Sequence, residues 1–484
     1  MNRASAAMIK TFMRFGPALL PFADAATAEL PMSRLLRLSL FQITVGMAAV
    51  LLIGTLNRVM IVELNVPSSI VALMLALPLL FAPLRTLVGF RSDTHRSFLG
   101  WRRVPFIWMG TMLQFGGLAI MPFALLILSG DTTGPLIVGH IAAALAFLLV
   151  GAGLHTVQTI GLALATDLAP EHTRPRVVAL LCAMLLLGMA ISALVFGYAL
   201  SNFSQIRLIQ VIQGSAVVTL VLNGFALWKQ EPRSLSIAPD GTHRAPFHKA
   251  WHSFALVGRT RRRLFATSLG TAAFSMQDIL LEPYGGKILH MPVAATTSMT
   301  AVLALGGGVG LILAARWLSG KADPHRVAAI GIVIGILAFS ALILSAPMDA
   351  AILFAIGVSL IGVGAGMFAH GTLTATMALA NPKDRGLALG AWGAAQATAA
   401  GLAIGLSGAI NDMASAFAAT GALGETLIHP ATGYAIIYSI EICLLFATLV
   451  VIGPLVRSSS SSFEGLNERF HIISQHNLSS GGVR

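Results

Sequence analysis

Gly89-Phe-Arg-Ser-Asp93-Thr-His-Arg-Ser-Phe-Leu-Gly100-Trp-Arg102-Arg103 decides the fold class of this chain. Four guanidiniums, one carboxylate and two glycines stand between two long apolar runs, one ending near Gly89 and the next beginning at Val104. Charge concentrated between stretches that carry almost none marks a short loop joining two membrane-spanning helices. A carboxylate among guanidiniums at a helix end can also latch helix bundles together through charge-assisted hydrogen bonds.

The rest of the chain agrees with that loop. Its 484 residues are 56% hydrophobic and only 10% charged, with a mean hydropathy of +0.82. A soluble core cannot absorb so much apolar surface, which excludes a soluble enzyme and implies a bilayer. A net charge of +12 would suggest nucleic acid in a soluble protein. Here the basic residues gather in loops, so they read instead as orientation signals and contacts for anionic lipid, with no nucleic-acid partner. Cys182 and Cys443 both lie in apolar runs and offer neither a disulfide framework nor metal spacing. No cleavable signal peptide is expected, because the first apolar run, Leu35 to Leu56, is of spanning length and follows a polar arm.

Hydropathy predicts an all-α polytopic membrane protein with twelve spans. They run roughly over 35–57, 68–89, 104–128, 136–165, 177–200 and 208–228, then 264–282, 293–315, 327–346, 350–372, 387–410 and 433–456. This divides the chain into an arm (1–34), a six-helix bundle (35–228), a basic linker (229–263), a second six-helix bundle (264–456) and a tail (457–484). Of the 31 Lys and Arg, 27 fall in the N-terminus through Arg37, the C-terminal tail and the even-numbered connections. Arg58, Arg207 and Lys287 fall in the odd-numbered ones, and Arg85 within a span. The positive-inside rule then places both termini in the cytoplasm.

The spacing Gly89, Asp93, Gly100, Arg102, Arg103 resembles the G-x-x-x-D-(R/K)-x-G-(R/K)-(R/K) loop after the second helix of major facilitator transporters, with an insertion between Asp93 and Gly100. A duplicated six-helix unit is what such an architecture implies. Gly151-Ala-Gly153 followed by Arg174-Pro-Arg176 matches Gly362-Val-Gly364 followed by Arg385-Gly386 at a common offset. Trp317-Leu-Ser-Gly-Lys-Ala-Asp323-Pro-His-Arg326 reads as a shortened copy of the Asp93 loop.

Charged groups inside a bilayer are costly and mark function by default. The leading candidates are Gln277, Asp278 and Glu282 in Phe274-Ser-Met-Gln277-Asp278-Ile-Leu-Leu-Glu282-Pro283-Tyr-Gly-Gly286. Four residues apart on a helix, Asp278 and Glu282 share a face, and Pro283 with Gly285 and Gly286 is expected to break the helix just afterwards. Such a pair can bind a cation, carry a proton or hydrogen-bond a polar ligand; the plainer alternative is two acids near the outer interface. Arg85 reads as a snorkelling residue or a partner of Asp93, and Arg58 as a partner of Glu63 or a substrate contact. His155 and His370 each follow a glycine by one turn, at Gly151 and Gly366. A neutral imidazole is a good axial ligand for chlorin magnesium, and the glycine is read as leaving room for a flat macrocycle; the alternative is a packing or hydrogen-bonding histidine. Gln114 and Gln158 suit either job. No catalytic constellation or metal cluster is evident.

Three segments together resemble one narrow family. They are Leu20-Pro-Phe-Ala-Asp24-Ala25 with Arg34-Leu-Leu-Arg37-Leu-Ser-Leu-Phe-Gln42, then Gly100-Trp-Arg-Arg-Val-Pro-Phe-Ile-Trp108-Met-Gly-Thr-Met-Leu-Gln114-Phe-Gly-Gly117, and Gln277-Asp278-Ile-Leu-Leu-Glu282-Pro-Tyr-Gly-Gly286. The chain is similar to the PucC/LhaA group, the bacteriochlorophyll-delivery branch of the major facilitator superfamily in purple phototrophic bacteria. That resemblance implies a non-enzymatic assembly factor in the bacterial inner or intracytoplasmic photosynthetic membrane. Its implied cargo is bacteriochlorophyll a, and its partners are light-harvesting (LH1 or LH2) alpha and beta polypeptides, with bacteriochlorophyll synthase and the membrane insertion machinery. Asp278 and Glu282 would then bond ring carbonyls or a ligand-bound water, while Asp93, Arg102 and Arg103 order the cytoplasmic hairpin. Two other functions stay open: a proton-coupled transporter of a small solute, and an antenna-peptide chaperone that never touches pigment.

Overall fold

A computed structural model describes residues 25–27, 30–80, 101–130, 133–170, 173–231, 260–320, 322–377 and 385–456. The described chain is helical: α1 (Met32–Glu63), α2 (Ser68–Leu80), α3 (Val104–Leu128), α4 (Leu136–Leu168), α5 (Arg174–Ala199), α6 (Gln205–Leu227), α7 (Thr260–Lys287), α8 (Val293–Ser319), α9 (Pro324–Ser345), α10 (Ala351–Met377), α11 (Arg385–Ala419) and α12 (Thr432–Ile452). Eleven of these are long and apolar enough to cross a membrane. The other, α2, is described as far as Leu80, and the remainder of the predicted 68–89 span lies outside the described residues.

Most of these helices are apolar all round, as lipid demands. Phe123, Leu337 and Val450 are 65%, 60% and 74% exposed on the outer surface, a cost in water that vanishes against acyl chains. Pro78 and Pro122 are accepted within α2 and α3 because neighbouring helices cover the backbone they disturb. Helices α3 with α4, and α9 with α10, form the tightest pairs, and the seams α2–α11 and α5–α8 join the first six helices to the last six.

Glycines set the closest approaches. A Cβ on Gly153 would lie 2.5 Å from the Gly110 carbonyl oxygen, and one on Gly364 would lie 2.6 Å from that of Gly331. The same crossing, α4 on α3 and α10 on α9, thus occurs once in each half. The sequence match between Gly151-Ala-Gly153 and Gly362-Val-Gly364 reflects this shared packing device.

Candidate functional site

The site forms where α1 meets α7. Helix α7 is regular from Thr260 to Ser275, tightens to a 3-10 turn over Met276–Ile279, and resumes as Leu281–Lys287. The break therefore comes before Pro283, not after it as the sequence suggested. Proline belongs in the first turn of the resumed helix, where its missing N–H has no intrahelical acceptor to satisfy. The carbonyls loosened by the break find partners on other helices. Asn57 Nδ2 donates to the Ile279 carbonyl at 2.9 Å, and Ser407 Oγ donates to the Met276 carbonyl at 2.9 Å. Asn57 also bonds Ile53 O within α1. That part of α1 is itself wound wide, with π-helical stretches over Val50–Leu56 and Val59–Glu63, a distortion common at functional sites.

The interrupted register gives the two acids different partners. Gln277 Nε2 donates to Asp278 Oδ1 at 2.5 Å. Glu282 Oε1 accepts from Thr300 Oγ1 of α8 at 2.5 Å, and its Oε2 is buried beside Thr297 without a well-formed hydrogen bond. Gly54 of α1 is pressed against this carboxyl, since a Cβ there would collide with Glu282 and lie 3.1 Å from Thr300 Oγ1. Tyr284 anchors the resumed helix: its hydroxyl donates to the Leu342 carbonyl at 2.9 Å, and its ring stacks on Phe354 and meets Tyr434 and Tyr438 edge-on.

A third acid, Glu441 on α12, completes the cluster. It is fully buried, sits beside the Gln277 backbone and Asp278, and neither of its oxygens makes a well-formed hydrogen bond. Sequence reasoning passed over it, although a lone carboxyl in Tyr438-Ser-Ile-Glu441-Ile-Cys-Leu-Leu-Phe446 is the signal that singled out Asp278. Gln277 Oε1 and Asn57 Oδ1 are also buried without partners. The centre of the protein thus holds oxygens with unfilled hydrogen-bonding capacity, contributed from both halves.

Other sequence candidates lie elsewhere. Arg58 is 4% exposed, pairs with Glu63 at 2.5 Å, and reaches across to the Met291 carbonyl at 3.1 Å. Gln114 is fully buried where α3 crosses α4, and neither amide atom is bonded. His155 and Gln158 are half-buried on α4, and His370 is half-buried on α10. The room read beside these histidines is filled: Gly151 faces Pro78 of α2, and a Cβ on Gly366 would lie 2.5 Å from the Gly307 carbonyl oxygen of α8. Helix–helix approach, not a macrocycle, accounts for both glycines in this conformation.

Arg85 and Asp93 lie outside the described residues. Arg102 and Arg103, within the described residues, both pair with Asp167 at the end of α4, at 2.7 and 3.0 Å. Glu231 closes the same corner by accepting the backbone N–H groups of Arg102, Arg103 and Val104 at 2.9–3.0 Å, which caps α3. Loss of this cap in Glu231→Ala is expected to cost about 1–2 kcal/mol, read as a lower melting temperature in detergent.

Bonds between the halves gather at the end of the bundle remote from where α1 enters and α12 leaves. Asp412 of α11 accepts the backbone N–H groups of Ser68 and Ser69 at 3.2 and 2.8 Å, capping α2 from the other half. Asn411 Nδ2 donates to Ser68 Oγ at 3.3 Å, and Arg58 bonds Met291 O nearby. Together with Gly54 against Glu282, these contacts close the cluster off at that end.

Comparison with known proteins places this geometry in context. Residues 55–460 match the family model described as PUCC protein. Protein PucC of Rhodovulum sulfidophilum is 54% identical over 418 residues, covering 85% of this chain and 92% of that protein. The bacteriochlorophyll synthase 44.5 kDa chain of Rhodobacter capsulatus is 29% identical over 391 residues, covering 78% and 86%. Among solved structures, a D323A mutant of the nucleoside transporter NupG superposes with a TM-score of 0.65 at 16% identity, covering 86% of this chain and 99% of that one. At that identity the match shows the fold alone, which is that of a transporter of the major facilitator type.

Proposed function

Because the chain belongs to the PUCC protein family, we propose that it is an assembly factor for photosynthetic antenna complexes, one that binds bacteriochlorophyll and passes it to antenna polypeptides. The observation that carries the proposal is the cluster of Asn57, Gln277, Asp278, Glu282 and Glu441, in which all but Asp278 carry a buried oxygen without a well-formed hydrogen bond, Asn57 from the first half and the others from the second. Buried polar groups are almost always bonded, so unfilled ones call for a donor from outside the protein. A water held on a chlorin magnesium supplies such O–H donors. The names of the relatives support the pigment context: PucC for one, a bacteriochlorophyll synthase chain for another.

Gly54 in contact with Glu282 leaves no space for a macrocycle at the centre of the cluster. Loading therefore requires α1 and α7 to part, with the cap of Asp412 on α2 released. The apolar tail would lie along helix surface or lipid at little cost, since lipid is equally apolar. The photosynthetic membrane is the proposed location.

The test is an absorption spectrum of the tagged protein, purified gently from pigment-producing cells that lack antenna polypeptides. A stoichiometric near-infrared bacteriochlorophyll band is the expected result; a colourless, well-folded protein would overturn pigment binding. In the same preparation, His155→Phe with His370→Phe is expected to retain the band, because the space beside both histidines is filled by neighbouring helices. Loss of the band in that pair alone would make the histidines the ligands. The transporter fold favours a second reading, proton-coupled movement of a small solute, and solute-driven proton uptake in vesicles would select it.

A further inference from the structure

We propose that a groove where α1 begins, α3 begins and α6 ends is a binding site for one anionic phospholipid. The groove encloses ≈ 1500 Å³. Trp101, Trp108 and Trp228, half of the chain's six tryptophans, line it together with Arg37 and Lys229.

Its construction begins with the backbone. Lys229 has φ +52°, a left-handed conformation that turns the chain back on itself immediately after α6. The returning segment is then tied down. Gln230 is buried; its side-chain and backbone oxygens accept from the Arg34 guanidinium at 3.1 and 2.6 Å, and its Nε2 donates to the Arg34 carbonyl at 3.2 Å. Glu231, the carboxylate in the wall, is consumed by the α3 N–H groups. Arg34 and Glu231 therefore serve the frame. Among the described residues, Arg37 and Lys229 are the lining cations left unpaired, and Arg37 Nε is buried without a bond.

The occupant follows from charge and position. Two unpaired cations call for an anion, and a guanidinium matches the paired oxygens of a phosphodiester. The groove opens sideways to the outer surface: a Cβ on Gly224 would meet open space, and Trp108, Phe225 and Trp228 beside it are 41%, 62% and 62% exposed. Tryptophans at a helix end belong at headgroup level, and the apolar flank of α3 and α6 continues into the bilayer, where acyl chains lie. A basic pocket between spanning helices, floored by tryptophan and open to lipid, is suited to an anionic headgroup with its tails attached. This site is separate from the acid cluster and independent of any role in pigment handling.

The test uses the full-length purified protein, stripped of lipid by detergent exchange. Phosphatidylglycerol and phosphatidylcholine of matched acyl chains are titrated separately and followed by native mass spectrometry and thermal stabilisation, with glycerol phosphate as the headgroup lacking tails. Arg37→Gln with Lys229→Asn removes both charges, and asparagine tolerates the left-handed backbone at position 229. The wild type is expected to retain one phosphatidylglycerol and to prefer it over phosphatidylcholine. The double variant, melting like the wild type without lipid, is expected to bind phosphatidylglycerol roughly thirtyfold more weakly. Equal binding of the two lipids, full displacement by glycerol phosphate at comparable concentration, or unchanged affinity in the double variant would each overturn the proposal.

Discussion

Antenna absorbance is expected to fall at least about tenfold when Asp278→Asn, Glu282→Gln and Glu441→Gln are combined, while the protein still accumulates in the membrane. Each amide keeps the shape of the acid it replaces, so the packing of Gly54 against residue 282 and the break in α7 survive. Insertion is not impaired either, because removing intramembrane charge lowers the cost of placing these helices in lipid. What changes is hydrogen-bonding character: acceptor oxygens give way to amide groups that donate as well. A bond to a charged partner is worth about 1.5–3 kcal/mol, so losing even one predicts roughly a tenfold effect. Antenna complexes are quantified by near-infrared absorbance of membranes against the level of the tagged protein. The single variant Glu441→Gln is the sharper arm, because Glu441 makes no well-formed bond whose loss could destabilise the fold. Wild-type antenna levels in the triple variant would remove the cluster from the function.

The second large effect concerns the seam between the halves. A Cβ on Gly405 of α11 would stand 3.5 Å from the Ala76 Cβ of α2, within the range of disulfide-bonded cysteines. In a background with Cys182→Ala and Cys443→Ser, the pair Ala76→Cys and Gly405→Cys is expected to cross-link nearly completely in oxidised membranes, measured by loss of thiol labelling. If loading requires the halves to part, the oxidised protein supports almost no antenna assembly, and reductant restores it. Ala76→Cys alone controls for the substitution and for the oxidant. Full activity of the cross-linked protein would mean that the seam stays shut throughout the cycle, placing any pigment on an outer surface.

The two tests bear on different parts of the structure. The acid variants probe what the interior can bond, and the cross-link probes whether the interior ever opens. Both depend on features with opposite visibility in the sequence. Asp278 and Glu282 stand out because charge is rare in a chain that is 10% charged. The closeness of Ala76 and Gly405, more than three hundred positions apart, leaves no mark on either local pattern.

The sequence by itself determined the membrane class, the helical character, most helix positions and the family. Each of these rests on a local or cumulative property: hydropathy over about twenty residues, loop charge, or motifs read in order. It also identified the Arg58–Glu63 pair, whose members lie five residues apart near one helix end. Tertiary structure decided the rest. Pro283 has the sequence signature of a helix breaker, yet it sits inside a first turn, because Asn57 and Ser407 from other helices satisfy the carbonyls ahead of it. Arg102 and Arg103 found Asp167, about 65 residues away, as partner. Glycines 151 and 366, read as room for a ring, are filled by Pro78 and by the backbone of α8. The physical reason is common to all three. Whether a polar atom is satisfied and whether a small residue leaves space depend on what another helix brings there, and helix–helix approach is set by packing across the whole bundle.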